Sequence, residues 1–245
     1  MIIYGLNPTL EALRAGQVTE IRVSERRRQR LGALLDAAAR AGAVVRYVPD
    51  ELLNRQARGA VHQGVVADVA EPGQVAVAEL VAGAAAAPLL LVLDGIEDPQ
   101  NFGAILRSAE AAGVDGVIHQ TRRSAPPTGA VAKASAGALA HVRRARVVNI
   151  SRALDELRRA NVWVAGLAAE SPESLYALDL TVPIAFVLGA EQTGLRRLVR
   201  EHCDWLVSIP MRGKVSSLNV SVAAGIVLFE ARRQRGLAAP VPKDA

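Results

Sequence analysis

The amino-acid sequence predicts an α/β protein in which a small N-terminal α/β domain precedes a larger domain built on a parallel β-sheet. The first observation is that short apolar segments alternate with helical segments from residue 88 onward, which is typical of a parallel sheet covered on both faces. The second is a run rich in Pro, Gly and Ala over residues 71–87, which predicts a linker. The third is a hydrophobic content of 51% over 245 residues, which suffices for two modest cores.

Residues 1–70 have the pattern of the small domain. Apolar spacing predicts helices over residues 8–15, 30–41 and 51–58 and strands over residues 20–24, 43–48 and 65–69. Asn7 and Asp50 are predicted to cap the first and third helices, because their side-chain oxygens accept hydrogen bonds from free helical N–H groups. A short helix over residues 76–81 is predicted within the linker.

Residues 88–237 have the pattern of the larger domain. Strands are predicted at residues 89–94, 116–119, 146–149, 162–166 and 184–189, and helices at residues 104–112, 130–138, 151–160, 195–201 and from 220 onward. Ser151 is predicted to cap the third of these helices. The last helix stays apolar until Glu230, so its first turns are predicted to be buried. Residues 238–245 are predicted to be disordered.

The charge of the chain favours a polyanionic partner. The net charge is +5, and arginines cluster at residues 26–30, 122–123, 143–146, 196–197 and 232–235. Such clusters bind phosphates, as in RNA, although an ordinary solvated surface gives the same pattern. An aromatic content of 3% argues against platforms on which bases stack.

Composition also excludes several classes of site. The single Cys203 excludes an internal disulfide and every metal site with several cysteines, and the four histidines have no paired ligand spacing. No metal is therefore expected. No signal-peptide pattern and no apolar run of membrane-spanning length occurs, so we expect a cytoplasmic protein without a membrane partner.

Three buried strands are each followed by a polar loop and a helix, with the loops at residues 95–103, 190–194 and 209–219. Because the carboxyl ends of parallel strands form the ligand crevice of an open sheet, we expect one site that gathers the polar side chains of all three loops. Those side chains are Asn101, Arg107, Glu191, Ser217 and Asn219. Asn101 is predicted to cap the helix that carries Arg107, and Gly103 and Ala104 are predicted to leave room for a substrate.

These three motifs resemble those of the SpoU (TrmH-like) ribose 2'-O-methyltransferases of the SPOUT class. The motifs are DPQNFGAILRS (residues 98–108), LGAEQTG (residues 188–194) and IPMRGKVSSLNVS (residues 209–221). Their order and spacing match, and the resemblance spans about residues 88–235. The segments YGLNPTLEAL (residues 4–13) and VHQGV (residues 61–65) resemble the small RNA-binding domain of family members that methylate large-subunit rRNA.

The resemblance implies a fold, a reaction and an assembly. It implies a ribosomal-protein L30e-like RNA-binding domain followed by a knotted domain, with a deep trefoil knot between about Gly189 and the last helix. The implied reaction moves a methyl group from S-adenosylmethionine to the ribose 2'-OH of a guanosine in 23S rRNA, without a metal. The implied assembly is a homodimer through the knotted domain.

The resemblance also assigns roles to residues. Arg107 is the implied key catalytic residue, and we expect it to orient a phosphate and stabilise a developing alkoxide, because a guanidinium does not normally lose its proton. Asn101, Glu191, Ser217 and Asn219 complete the implied catalytic set. The implied cofactor-binding residues are Gly189, Ile209, Met211 and Leu218. The basic segment with Arg26, Arg27, Arg28 and Arg30 is expected to bind RNA.

Two alternatives within RNA biology stay open from the sequence. One is methylation of tRNA ribose, and the other is a non-catalytic RNA-binding protein of ribosome assembly. Joint retention of the five catalytic positions argues against the second. A nicotinamide-dependent oxidoreductase is disfavoured, because the chain lacks the Gly-rich dinucleotide fingerprint and its acidic residue.

Overall fold

A computed structural model describes residues 1–70 and 73–236. The ten strands of these residues are β1 (Ile2–Tyr4), β2 (Val18–Ser24), β3 (Val44–Val48), β4 (Val65–Val69), β5 (Leu89–Asp94), β6 (Gly116–Gln120), β7 (Arg144–Val147), β8 (Trp163–Leu167), β9 (Ile184–Gly189) and β10 (Trp205–Val207). Their nine α-helices are α1 (Leu6–Arg14), α2 (Gly32–Arg40), α3 (Asp50–Gln56), α4 (Val77–Ala82), α5 (Pro99–Ala111), α6 (Gly129–Ala134), α7 (Ile150–Arg159), α8 (Arg197–Glu201) and α9 (Val220–Gln234).

The chain divides into two compact units. The first comprises Met1–Gly73, Asp98–Glu110 and Ala125–Val142, and the second comprises Gln74–Glu97, Ala111–Ser124 and the chain from Arg143 onward. The first unit thus includes two segments from beyond residue 88. The domain limits at residues 70, 88 and 237 stay predictions, and the predicted disorder of residues 238–245 lies outside the described residues.

The first unit is built on a four-stranded sheet. Its strand order is β1-β4-β2-β3, with β2 and β3 parallel and the other pairs antiparallel. Ile21 and Val23 of β2 and Val65 of β4 are fully buried, as expected for the inner positions of strands covered by helices. Gly103 of α5 packs closely on α6, where an added Cβ would overlap Ala134.

The second unit is built on a six-stranded parallel sheet. Its strand order is β10-β8-β9-β5-β6-β7. The chain builds one half outward from β5 through β6 to β7, and in the other half it forms β8 first, then β9 beside β5, and then the edge strand β10. All six residues of β5 are buried, which agrees with its continuous apolar sequence. The predicted α/β class with a parallel sheet is confirmed. No helix among the described residues is long and apolar enough to cross a membrane.

Several predicted helix starts are wrong by one to five residues. Helix α1 begins at Leu6, so Asn7 lies inside its first turn, and the Leu6 N–H donates instead to the Gln63 side chain at 2.9 Å. Asp50 is itself the first residue of α3. Helix α7 is capped by Asn149, whose side chain accepts from the Arg152 N–H at 3.2 Å, and Ser151 lies inside the helix.

The start of α9 is less buried than predicted. Val220, Ala224, Val227 and Leu228 are buried within the chain, but Val222 and Phe229 are each 50% exposed. These two residues are seven apart and therefore lie on one side of the helix. Helix α9 is thus apolar on a buried side and on an exposed side.

The end of α9 is fastened by Arg235. Its guanidinium donates to four backbone carbonyls: Ala87 (2.6 Å), Pro88 (3.2 Å), Leu180 (2.8 Å) and Val182 (2.7 Å). Five N–H groups in a fixed fork allow one guanidinium to satisfy several acceptors at once. The end of the last helix is therefore bound to the segment that precedes β5.

Candidate active site

A cavity of about 350 Å³ lies at the carboxyl ends of β8, β9 and β10. The predicted cofactor residues Gly189, Ile209, Met211 and Leu218 all line this cavity. Glu191 and Ser217 line it as well. The loops after β9 and β10 are thus brought together as predicted.

The loop after β9 is a tight turn that places Glu191 at its tip. The Gly194 N–H donates to the Ala190 carbonyl at 2.7 Å, and Gly194 adopts a φ of 64°, a conformation that favours glycine. An added Cβ on Gly189 would overlap the backbone of Gly194 and Leu195. The motif therefore needs glycine at both positions for the chain to fold back on itself.

The same turn is anchored to the sheet by Arg196 and Asp94. The Arg196 Nε donates to Asp94 Oδ1 at 2.7 Å, its backbone N–H donates to Oδ2 at 3.1 Å, and its Nη2 also contacts Oδ1. Asp94 is 1% exposed and ends β5, in register with Gly189 of β9. Sequence analysis missed this pair, because Arg196 was assigned only to a basic cluster.

Asn219 joins the third motif to the second. Its Oδ1 accepts from the Ser221 N–H at 2.9 Å and so caps α9, while its Nδ2 donates to Glu191 Oε1 at 2.5 Å. An amide serves both bonds because it carries a donor and an acceptor. Glu191 and Asn219 are therefore brought together, and Asn219 is the N-cap of α9.

The cavity also has a wall that the sequence analysis did not include. Ala168, Ala169 and Glu170, in the loop after β8, line it, and Glu170 forms an ion pair with Arg200 at its rim. The hydrogen bond from Arg200 holds the pKa of the Glu170 carboxyl below its usual range. The signal was present, because this loop also follows the carboxyl end of a parallel strand.

Asn101 and Arg107 belong to the first unit and do not line the cavity. Helix α5 begins at Pro99, so Asn101 lies in its first turn, and the prediction that Asn101 caps the helix is wrong. Asp98 has that role, because its carboxylate accepts from the Gln100 N–H at 3.2 Å and the Asn101 N–H at 3.1 Å.

Arg107 lies more than two turns into α5 and is exposed. Its guanidinium forms no ion pair with any residue that the structure describes, so it is available to an anionic ligand. The expectation that Gly103 leaves room for a substrate is wrong, because the space beside Gly103 is filled by Ala134 and the Ser135 backbone.

The predicted RNA-binding arginines form an exposed basic turn in the first unit. Arg26, Arg27, Arg28 and Arg30 are exposed in a 3-10 helix over Glu25–Leu31, and the predicted helix over residues 30–41 begins only at Gly32. The Arg28 guanidinium lies 4.7 Å from the centre of the Tyr47 ring. Such cation–π contact holds a guanidinium over an aromatic face and leaves its edge open to phosphates.

Gln63 joins the two N-terminal segments that resemble the RNA-binding domain, residues 4–13 and 61–65. The Gln63 side chain accepts from the Leu6 N–H, and its backbone adopts a φ of 56°. The neighbouring His62 accepts from the Gly64 N–H at Nδ1 (3.1 Å), and its Nε2 lies 3.1 Å from Oδ1 of Asn54. Burial lowers the pKa of His62. The motif around residues 61–65 thus shapes the start of α1.

Buried titratable groups outside the cavity are structural. Burial raises the pKa of the Cys203 thiol to about 12, so this thiol is not a nucleophile at neutral pH. Burial lowers the pKa of His119 to about 4, and its Nδ1 lies 3.2 Å from the Ser124 hydroxyl. Among the described residues, no group of three His, Cys, Asp or Glu side chains has the arrangement of a metal site.

A parallel sheet with a Gly-lined cavity at its carboxyl ends defines an α/β enzyme that binds a small molecule there. Comparison with known families gives the particular class. The SpoU rRNA Methylase family matches residues 88–229, and the family described as RNA 2'-O ribose methyltransferase substrate binding matches residues 2–75. The chain belongs to the SpoU rRNA methylase family.

Individual relatives agree with this assignment. A Yersinia pestis protein named 23S rRNA (guanosine-2'-O-)-methyltransferase RlmB is 46% identical over 246 residues, covering 97% of this chain and 99% of that protein. The RlmB of Pasteurella multocida (strain Pm70) is 48% identical over 210 residues, covering 84% and 86%. The SpoU methyltransferase AviRb from Streptomyces viridochromogenes, solved with AdoMet, has a TM-score of 0.80 at 27% identity, covering 96% and 90%.

These comparisons confirm the predicted family, enzyme class and cofactor. The chain is an S-adenosylmethionine-dependent RNA methyltransferase. The roles predicted for individual residues, the knot and the homodimer stay predictions.

Proposed function

We propose that this enzyme transfers a methyl group from S-adenosylmethionine to the ribose 2'-OH of a guanosine in 23S rRNA, in the cytoplasm. The observation that carries the proposal is the cavity lined by the second and third motifs, in a chain of which 97% aligns with a relative named for that reaction. The match of residues 2–75 to a substrate-binding family supports an RNA substrate.

The cavity fits the cofactor. Leu188, Ile209 and Leu218 supply apolar walls for an adenine ring, and Gly189 brings backbone close to a ligand where any side chain would overlap the turn. Thr193 and Ser217 supply hydroxyl groups for the polar parts. When bound, S-adenosylmethionine supplies a methyl group on a positively charged sulfonium.

The catalytic residues act on the RNA side of the reaction. Arg107 orients an RNA phosphate and stabilises negative charge on the 2'-oxygen, because its guanidinium is exposed and forms no ion pair among the described residues. Asn101 positions the ribose from the same helix. Glu191 and Asn219 act as a hydrogen-bonded pair that fixes the geometry of the second and third motifs, and Ser217 contacts the substrate from the cavity wall.

RNA recognition is assigned to residues 1–70, with residues 71–87 as linker and residues 88–237 as the knotted methyltransferase domain. The exposed arginines of the 3-10 helix, Arg26, Arg27, Arg28 and Arg30, contact phosphates. The trefoil knot lies between about Gly189 and α9.

The active enzyme is a homodimer in which the second subunit borders the active site. The exposed side of α9, with Val222 and Phe229 half exposed, supports this assembly, because apolar side chains on one helix side gain free energy when a partner covers them. Light scattering at micromolar concentration measures the mass, and a fully active monomer would refute this part of the proposal.

Incubation with radiolabelled S-adenosylmethionine tests the reaction. The enzyme is given 23S rRNA and bulk tRNA in separate tubes with EDTA present, and the labelled ribose is mapped by nuclease digestion. We expect label at a single guanosine 2'-oxygen of 23S rRNA. Label in tRNA alone, or none in either RNA, would overturn the proposal. Calorimetry tests the cavity independently: we expect S-adenosylmethionine to bind and NAD not to bind.

A further inference from the structure

The two tryptophans of this chain lie together at the amino-terminal edge of the parallel sheet. Trp163 begins β8 and Trp205 begins β10, and their ring centroids are 4.8 Å apart with 29° between the planes. The cofactor cavity lies at the carboxyl end of the same strands. Five-residue β8 separates the two edges by about 13 Å, given a rise of about 3.3 Å per residue.

Trp163 is 47% exposed although it stacks on Trp205. It lines an open cavity of about 710 Å³, together with Asp155, Arg158, Arg159, Asn161, Val162 and Asp204. An indole in a stacked pair is held in one orientation, and it keeps surface that another flat ring can cover. This cavity shares no lining residue with the candidate active site.

The charges around the ring are unevenly neutralised. Asp204 is paired, because it bonds the Arg158 Nε at 3.0 Å and accepts from the Val164 N–H at 2.9 Å. Arg159 donates its Nε to the Asp155 backbone carbonyl at 3.1 Å and forms no ion pair among the described residues. Arg159 is therefore the lining arginine whose guanidinium has no carboxylate partner among the described residues, while the Asp155 carboxylate on the same cavity lies 3.6 Å from His202 Nε2.

We propose that this cavity is an accessory RNA site, where a base of single-stranded RNA stacks on Trp163 and a neighbouring phosphate binds Arg159. The inference rests on the proposed RNA substrate. An exposed ring beside a guanidinium is what non-sequence-specific single-strand binding requires. We prefer an RNA occupant to a protein partner because the proposed substrate is RNA, since tryptophan and arginine are enriched at protein interfaces as well.

Intrinsic fluorescence gives a direct test, because both tryptophans of the chain lie at this site. The full chain is titrated with a single-stranded oligoribonucleotide of about ten nucleotides, within the usual size of such sites. We expect saturable quenching of tryptophan emission. Binding of the oligonucleotide, seen by anisotropy of an end label, without any change in emission would overturn the inference.

Two variants separate stacking from phosphate binding. Trp163→Leu should weaken oligonucleotide binding about 5- to 100-fold and leave the salt dependence unchanged, because stacking releases no counterions. Arg159→Gln should reduce the slope of log affinity against log salt by about 0.7, the value for one phosphate of a single strand. Trp163→Phe should retain much of the affinity, which also controls for misfolding.

Matched controls lie on the same unit. Arg152→Gln removes an exposed arginine of α7 that does not line the cavity, and Tyr176→Leu removes a 54% exposed aromatic ring elsewhere. Neither should change quenching. If Trp163→Leu instead converts a dimer to a monomer, the surface is a self-interface and the proposal is wrong. Quenching does not depend on methyl transfer, so a wild type that binds but does not methylate refutes only the proposed function.

Discussion

The carboxylate of Asp94 and the guanidinium of Arg196 are joined across 102 residues of sequence, with Nε 2.7 Å from Oδ1. Asp94 ends the central strand β5, and Arg196 follows the turn that carries Glu191. This pair fixes the position of the turn relative to the sheet. It is therefore a positioning contact for the cavity that we propose to bind the cofactor.

We expect Asp94→Asn to weaken S-adenosylmethionine binding and to lower the free energy of unfolding by about 2 kcal/mol, since a hydrogen bond to a charged group is lost in a buried place. Calorimetry and urea unfolding measure the two effects. Arg197→Ala is the control, because Arg197 is exposed and forms a surface ion pair with Glu201, one turn along the same helix. Unchanged cofactor affinity in Asp94→Asn would show that the turn does not need this anchor.

Gly189→Ala should abolish detectable cofactor binding. The added methyl group would overlap the Gly194 and Leu195 backbone, so the turn must move out of its place at the cavity. Gly213→Ala is the matched control in the third motif, because a Cβ there meets nothing within 4 Å. Normal calorimetric binding in Gly189→Ala would contradict the assignment of this loop to the cofactor.

The Asn219 side chain makes a capping bond to Ser221 and a bond to Glu191, which substitution can separate. Asn219→Ala should lower the unfolding free energy by about 1 kcal/mol, as loss of a helix cap does, and should also slow methyl transfer. Asn219→Ser should restore the stability, because serine caps helices well, but it should not restore the rate, because the bond to Glu191 is missing. Recovery of the full rate by serine would leave the Glu191 bond without a catalytic role.

Arg107→Ala should reduce methyl transfer about a hundred- to thousand-fold, the usual loss when stabilisation of a developing oxyanion is removed. Affinity for S-adenosylmethionine should stay nearly unchanged, because Arg107 does not line the cofactor cavity. Arg107→Lys should recover little, since an ammonium lacks the planar fork. Glu110→Ala is the control, because Glu110 is exposed on the same helix, and it should keep the wild-type rate of methyl transfer. If Arg107→Ala is as fast as this control, Arg107 does not have the assigned role.

His119 should make the fold sensitive to mild acid. Its pKa is lowered from 6.5 to about 4 by burial, so the unfolded state binds the proton more readily than the folded state. This contribution is complete above pH 6.5 and is lost as the pH falls toward 4. Unfolding free energy should therefore drop by about 2 kcal/mol between pH 7 and pH 5. His119→Gln should lessen that drop, as measured by urea unfolding at both pH values. An equal drop in the wild type and in His119→Gln would show that His119 is not its source.

Strongly apolar strands were predictable from the sequence, and helix starts were less so. The predicted strands at residues 89–94 and 184–189 coincide with β5 and β9, because a continuous apolar run between turn residues has few other structures. The start of α5 was missed although Asp98-Pro99 carries its own signal, a capping acid followed by proline at the first helical position. Several polar residues close together leave more than one capping choice.

The candidate site was predictable where it depends on chain order and not where it depends on distant pairing. Loops after parallel strands converge by topology, which located Gly189, Glu191 and Ile209 correctly at one cavity. No local pattern pairs Asp94 with Arg196, or brings Trp163 onto Trp205. The low aromatic content argued against a stacking surface, yet the two tryptophans that the chain has are adjacent.

The four carbonyls held by Arg235 bear on how the protein is made. Pro88 precedes Arg235 by 147 residues, so at a synthesis rate of roughly 5–20 residues per second its partner leaves the ribosome on the order of ten seconds later. During that interval β5, buried at every position in the finished protein, has been synthesised without the residue that closes the unit. Until Arg235 emerges, the nascent chain carries an apolar strand without this contact, and such transiently exposed strands are prone to aggregate.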